Sequence, residues 1–198
     1  MIPHCWAAVK PRRRCATGRE MLQSSVRAKT KESTEVEVFV SLRVTDRVAV
    51  TAARTLKEQM GYGAILASLE RRTYFRFAAA GDPEEAAAYI RDLAANTAAV
   101  ANPNKETYTL DLLQRPLGDV GKRVALVYPR AGLFDEDFLK RVVWELGYDR
   151  VVAAGKGVAW TIGLAPGVDA SYAEEILVAR SRGKGLLLNP HAEKFEWA

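Results

Sequence analysis

The chain has 198 residues, of which 48% are hydrophobic, and a formal net charge of +5. It is long enough to bury a hydrophobic core, as one domain or as two small ones. The positive charge is confined to residues 1–31, which hold eight Lys and Arg against one Glu, so residues 32–198 carry about −2. The net charge therefore does not indicate a folded domain that binds nucleic acid.

The cysteines and the hydropathy pattern predict a cytoplasmic protein. Cys5 and Cys15 are the only cysteines, so disulfides are excluded from residues 16–198, as expected for a reducing compartment. No apolar run approaches the roughly 18 residues that a membrane span needs.

Residues 1–33 are predicted to be a disordered basic tail, because Pro, Arg, Ser and Thr are mixed there with little hydrophobic periodicity. No apolar stretch of the length of a secretory signal follows the charges. The composition is compatible with a transit peptide, and equally with a translation start placed upstream of a true start at Met21. A tail that contacts RNA or a membrane surface stays open as a further alternative.

The first run of patterned sequence predicts four strands and two helices. Apolar residues alternate cleanly over 35–44, which is typical of a half-buried strand. Asp46 is placed to cap a helix that ends at Gly61, and Asp82 is placed to cap a second helix. The remaining predicted elements are strands near 64–68, over 69–77 and over 105–112.

The second run repeats this order. Phe134 or Asp135 opens a helix with a wide apolar stripe, and Asp169 is expected to cap a helix that buries Tyr172. Gly155-Lys156-Gly157 is interpreted as a hairpin turn. The predicted strands of this run are 123–128, 151–154, 158–164 and a terminal strand near 193–197.

Matching motifs recur in the two runs at a nearly constant spacing. Four pairs of features are separated by 86 or 87 residues. They are Gly61-Tyr62 with Gly147-Tyr148, Asn102-Pro103 with Asn189-Pro190, Asp82 with Asp169, and the strand at Val38 with the strand at Val124. This predicts an α+β protein of two tandem β-α-β-β-α-β units, residues 34–114 and 123–198, joined by a linker at 115–122. Each antiparallel sheet is expected to carry two helices on one face, and the two sheets to pack face to face as a pseudo-dimer.

The residue types that carry chemistry do not form a recognisable catalytic, cofactor-binding or metal-binding pattern in the sequence. Of the two histidines, His4 lies in the tail and His191 is interpreted as a surface turn residue. Acidic clusters fall in the first turns of predicted helices, where they offset the helix dipole. Trp144 and Trp160 are interpreted as core residues. We therefore predict a chain without an active site of its own and without a cofactor.

Partner contacts are predicted instead at five polar positions. Adjacent arginines on a strand place one side chain on each face, and a lysine between two glycines suits a phosphate or a carboxylate. The two Asn-Pro turns are further candidates. The predicted contact residues are Arg71, Arg72, Lys156, Asn102 and Asn189.

The order of the short motifs resembles one known family. The first unit holds Gln59-Met60-Gly61-Tyr62 and Val100-Ala101-Asn102-Pro103, and the second holds Leu146-Gly147-Tyr148, Gly155-Lys156 and Leu187-Leu188-Asn189-Pro190. In this order they resemble the PurS family, the small subunit of phosphoribosylformylglycinamidine synthase. The first unit lacks the Gly-Lys pair, and family members are commonly single units.

The resemblance implies a non-catalytic role in de novo purine biosynthesis. Family members dimerise and join the ATP-using synthetase (PurL-like) subunit to the glutaminase (PurQ-like) subunit, helping ammonia to pass between them. A tandem chain is expected to supply the surface of a dimer in one polypeptide and to self-associate. Three alternatives stay open from the residues: a regulatory module that binds a small molecule, a nucleic-acid-associated protein acting through its tail, and an independent enzyme.

Overall fold

A single antiparallel sheet of six strands organises the protein. The computed structural model describes residues 33–111, 121–181 and 184–198. The predicted tail, except Ser33, and most of the predicted linker lie outside these residues. The fold is α+β, and the strands stand in the order β3-β1-β2-β5-β4-β6. They are β1 (Ser33–Leu42), β2 (Leu66–Ala80), β3 (Glu106–Asp111), β4 (Lys122–Pro129), β5 (Val151–Leu164) and β6 (Glu193–Trp197).

Within the described residues, four helices connect these strands. They are α1 (Arg47–Arg54), α2 (Pro83–Asn96), α3 (Glu136–Lys140) and α4 (Tyr172–Leu177). Both α1 and α3 continue into a π-helical turn, at Thr55–Gln59 and Arg141–Glu145. A glycine in the left-handed conformation, with φ of 80°, ends each of them. No helix within the described residues is both long and apolar enough to cross a membrane.

The centre of the sheet is the antiparallel pair of β2 and β5. Their register runs from Leu66 opposite Leu164 to Ala79 opposite Val151. The predicted face-to-face packing of two sheets is therefore wrong, since the two sets of strands meet edge to edge and share one hydrogen-bonded ladder. Strands β2 and β5 each have an edge whose backbone N–H and C=O groups would otherwise be unpaired, and each strand supplies the hydrogen-bond partners of the other.

Two predicted strand breaks do not exist. The segments predicted near 64–68 and over 69–77 form the single strand β2, and Gly155-Lys156-Gly157 lies inside β5 instead of forming a hairpin turn. The glycines are needed for close approach. A Cβ atom at Gly157 would lie 2.5 Å from the carbonyl oxygen of Val127, and one at Gly155 would overlap the carbonyl group of Leu133.

All four helices lie against one face of the sheet, which we call the helix face. A first core joins α2 and α3 to the apolar face of β1 and to one end of β2, including Val38, Phe77 and Ile90. A second core joins α1 and α4 to β4 and β5, including Leu56 and Trp160. Each core thus combines one helix from residues 33–111 with one helix from residues 121–181.

Capping aspartates begin three of the four helices. Asp46, Asp82 and Asp135 each accept a hydrogen bond from a backbone N–H in the first turn of α1, α2 and α3. The prediction for Asp169 is wrong in its position, since its carboxylate accepts from Ser171 N at 2.7 Å and the helix begins only at Tyr172.

Two aromatic residues predicted to be buried lie on the surface. The side chain of Tyr172 is 37% exposed and that of Trp144 is 62% exposed, whereas Trp160 is buried as predicted. Trp144 lies in the π-helical turn after α3. Its exposure places a large apolar group where a partner can reach it.

The opposite side of the sheet, which we call the second face, carries a long-range ion pair and a third core. Arg76 of β2 forms an ion pair with Glu196 of β6, three strands away. A third cluster of buried side chains, including Phe39, Tyr74 and Leu126, lies on the same face.

Candidate functional site

The adjacent arginines of β2 point to opposite faces, as predicted. Arg71 lies on the helix face, where its guanidinium is 3.4 Å from the Asp46 carboxylate that caps α1. Arg72 lies on the second face, where it donates to Thr161 Oγ1 at 3.4 Å and covers the ring of Phe39 at 5.7 Å. Both side chains thus help to hold the fold.

Lys156 is exposed on the helix face of β5 and lies opposite Phe75, four residues along β2 from Arg71. Its ammonium group stands 5.5 Å from the centre of the Phe75 ring, a cation–π distance. Asn102 and Asn189 lie in turns before β3 and β6, at the two outer strands. The structure therefore does not gather the five predicted contact residues into one site.

The two Asn-Pro turns have the same hydrogen bonds. The backbone N–H of Asn102 donates to Glu106 Oε2 at 2.7 Å, and that of Asn189 donates to Glu193 Oε2 at 2.9 Å. Each asparagine side chain accepts from the backbone N–H two residues later, at 3.0 Å in both turns. These side chains therefore shape the turns that begin β3 and β6.

A buried polar network occupies the second face. Tyr74 donates to Glu37 Oε1 at 2.5 Å, and Arg76 donates to the hydroxyl oxygen of Tyr74 at 2.7 Å and to Glu37 at 2.9 Å. Burial, and then the neighbouring Glu37 carboxylate, raise the pKa of Tyr74 above its ordinary value. Through Glu196, Arg76 also joins β2 to β6. No pattern in the sequence indicates this network, because Arg76 and Glu196 are 120 positions apart.

The tyrosines of the two Gly-Tyr motifs contact opposite parts of the chain. Tyr148 donates to the Asp92 carboxylate of α2 at 2.8 Å, and Tyr62 donates to the Glu175 carboxylate of α4 at 3.1 Å. Burial and the adjacent Asp92 raise the pKa of Tyr148 to about 12. Burial and Glu175 raise that of Tyr62. The motif thus has a structural use that its sequence did not reveal.

A cleft of about 260 Å³ opens between the end of α2 and β3. Its apolar walls are small side chains and an aromatic ring, whereas an arginine and a glutamate supply charge. The lining residues are Arg43, Ala94, Ala95, Ala101, Pro103, Glu106, Thr107 and Tyr108. Sequence patterns did not predict this cleft, although the alanines after Leu93 are the visible signal for it.

Neither a metal cluster nor a known relative identifies the site. Within the described ranges, no group of three or more His, Cys, Asp and Glu side chains is placed to hold a metal ion. Comparison with protein-family models, with curated proteins and with solved structures found no match. The function of the protein is therefore inferred from its own residues.

Proposed function

We propose that the chain is a tandem PurS-like scaffold that joins the synthetase and glutaminase subunits of phosphoribosylformylglycinamidine synthase. The proposal rests on the sequence resemblance and on one structural observation. In the turns and outer strands, equivalent hydrogen bonds recur at a spacing of 87 residues. Arg43 N donates to Lys105 O, for example, and Arg130 N donates to Ala192 O.

The arrangement of the strands supports an internal pair. The order β3-β1-β2 followed by β5-β4-β6 reads the same from either edge of the sheet, with β2 and β5 at the middle. Such an arrangement is what two like units make when they associate through one edge strand each. In this proposal the chain presents two related outer surfaces, one for each partner subunit.

Trp144 is the side chain best placed for a partner contact. Tryptophan is enriched among residues that contribute most to binding, and this one is 62% exposed on the helix layer. Lys140 and Arg141, on the same helix, form ion pairs with Asp137 at 2.9 Å and with Glu145 at 3.8 Å. The basic groups beside Trp144 are therefore already paired, and a mainly apolar surface on the synthetase or glutaminase would complement this region.

Co-purification tests the proposal. The full chain, co-expressed with a synthetase and a glutaminase subunit from its own source, is expected to retain both on size-exclusion chromatography. Trp144→Ala is expected to weaken retention of one of them by about tenfold or more. Arg54→Ala, at an exposed position of α1, is the matched control. Retention of neither subunit by the wild-type chain would refute the scaffold.

A further inference from the structure

We propose that the cleft beside β3 binds a small zwitterion, an α-amino acid with a short apolar side chain. This site is independent of the scaffold role, because it uses other residues. Its volume of about 260 Å³ holds about eight heavy atoms, if each takes roughly the 30 Å³ of a water molecule. This volume is below the roughly 300–1,000 Å³ that is typical of sites for drug-sized ligands, which favours a small molecule.

The charged residues of the cleft match the two ends of a zwitterion. Arg43 donates through Nε to the backbone oxygen of Glu106 at 3.1 Å, which orients its guanidinium at the rim. None of the ion pairs among the described residues involves Arg43, so its terminal N–H groups are suited to a carboxylate. The Glu106 carboxylate, held by Asn102 N at 2.7 Å, is suited to an ammonium group.

The apolar part of the cleft limits the ligand side chain. Ala94 and Ala101 are buried, and the ring of Tyr108 closes another side. A ligand side chain of one to three carbon atoms would bury apolar surface chiefly against the ring of Tyr108, which is only partly buried.

The second Asn-Pro turn shows how the cleft can be closed. The residue before Asn102 is Ala101, whereas the residue before Asn189 is Leu188, which is 3% exposed and packs into the second core. The substitution Ala101→Leu therefore copies a side chain that the same turn geometry already accommodates. Because Ala101 lines the cleft, the added carbons are expected to narrow it, and neither charged residue is removed.

Titration followed by NMR tests the proposal on the full chain. L-alanine and L-valine are expected to shift the backbone signals of Ala101 and Tyr108 saturably, with a Kd on the order of 1 mM. Isobutyrate, which lacks the ammonium group, and isopropylamine, which lacks the carboxylate, are each expected to bind about tenfold more weakly. Titration with inorganic phosphate tests whether the cleft is a general anion site. Phosphate is expected to cause no saturable shift of these signals.

Three variants locate the binding. Ala101→Leu is expected to abolish the shifts, whereas Arg43→Gln and Glu106→Gln are each expected to weaken amino-acid binding about tenfold. Glu106→Gln keeps an oxygen that can accept from Asn102 N. Circular dichroism and thermal unfolding verify that each variant is folded. Absence of saturable shifts, equal binding of isobutyrate and L-valine, or undiminished binding by a folded Ala101→Leu chain would each overturn the proposal.

Discussion

The first half (residues 33–111) and the second half (residues 121–198) have matching turns. They differ in the side chains that pack beside those turns. Both contain a helix that ends in a π-helical turn and a glycine, and both contain an Asn-Pro turn held by a glutamate. The first half has a 14-residue α2, whereas the second has the 6-residue α4 at the corresponding place. The first half has a cleft beside Ala101, whereas Leu188 occupies the corresponding position of the second half and packs into the second core.

This comparison separates backbone geometry from side-chain packing. The turns are set by local hydrogen bonds, which asparagine and glutamate supply in both halves. The apolar residue that precedes the asparagine differs, since it is Ala101 in the first half and Leu188 in the second. A chain can therefore keep one backbone arrangement in two places while it changes the surface offered to a ligand or partner.

The largest expected effect is at the network that joins β1, β2 and β6. Arg76→Met removes the guanidinium beside Glu37, whose side chain is 1% exposed, and should lower the free energy of unfolding by about 3 kcal/mol. Chemical denaturation measures the change. Arg72→Met is the matched control on the same strand and face, with no carboxylate partner among the described residues, and should cost about 1 kcal/mol. Equal losses would mean that the ion pairs of Arg76 stabilise the fold no more than the contacts of Arg72 do.

The next largest effect is expected at Leu188, before the Asn-Pro turn of the second half. Leu188→Ala removes a buried side chain from the second core and should lower the free energy of unfolding by about 3 kcal/mol. The reverse change, Ala101→Leu, should alter stability by less than about 1.5 kcal/mol because the cleft receives the added carbons. Denaturation of both variants checks this contrast. A larger loss from Ala101→Leu would show that the two turns are not equivalent.

The Gly-Tyr contacts should contribute less, and in a pH-dependent way. Tyr148→Phe removes the hydrogen bond to Asp92 and should cost about 1 kcal/mol at neutral pH. Because the pKa of Tyr148 is raised to about 12 in the folded chain, its contribution is present below pH 10 and is lost between about pH 10 and 12. The phenylalanine variant should therefore lose stability less steeply in that range.

Tyr62→Phe is the corresponding change in the first half, at the contact with Glu175. Equilibrium unfolding at several alkaline pH values, compared with the wild-type chain, measures both variants. A Tyr148→Phe chain with the wild-type slope above pH 10 would mean that this hydroxyl keeps its ordinary pKa.

The smallest effects are expected at Asp82 and Asp169, the two aspartates that lie 87 residues apart in the two halves. Asp82→Ala removes a hydrogen bond to Glu85 N at the start of α2 and should cost about 1 kcal/mol. Asp169→Ala should cost about 0.5 kcal/mol, since this carboxylate supports a turn before a short helix. Thermal unfolding of both variants gives the order. The reverse order would make Asp169 the stronger cap.

Local features of the fold could be predicted from the sequence. The alternation in β1 and the caps Asp46, Asp82 and Asp135 are each set by residues within a few positions of one another. The prediction was wrong where contacts between residues that are distant in the sequence determine the local structure. Gly155 and Gly157 favour a turn locally, but the close approach of Leu133 and Val127 places them in a continuous strand.

The register of β4 shows a second limit. The sequence paired Val38 with Val124, but Val40 lies opposite Tyr108 and Val127 lies opposite Phe195, so the spacing of the strands is 87 and not 86. Both faces of β4 are apolar, so its pattern does not indicate which face meets the helices. The cleft depends on missing side-chain volume, and no periodic signal reports that.

The central pairing of β2 with β5 has a consequence for folding during synthesis. Strand β2 ends at Ala80, and its partner is complete only at Leu164. At roughly 5–20 residues per second, the ribosome adds the intervening chain in about 4–17 s. During that time an edge of β2 lacks its ladder partner and is exposed to wrong pairing. Slow, chaperone-sensitive maturation is therefore built into the order in which the strands are made.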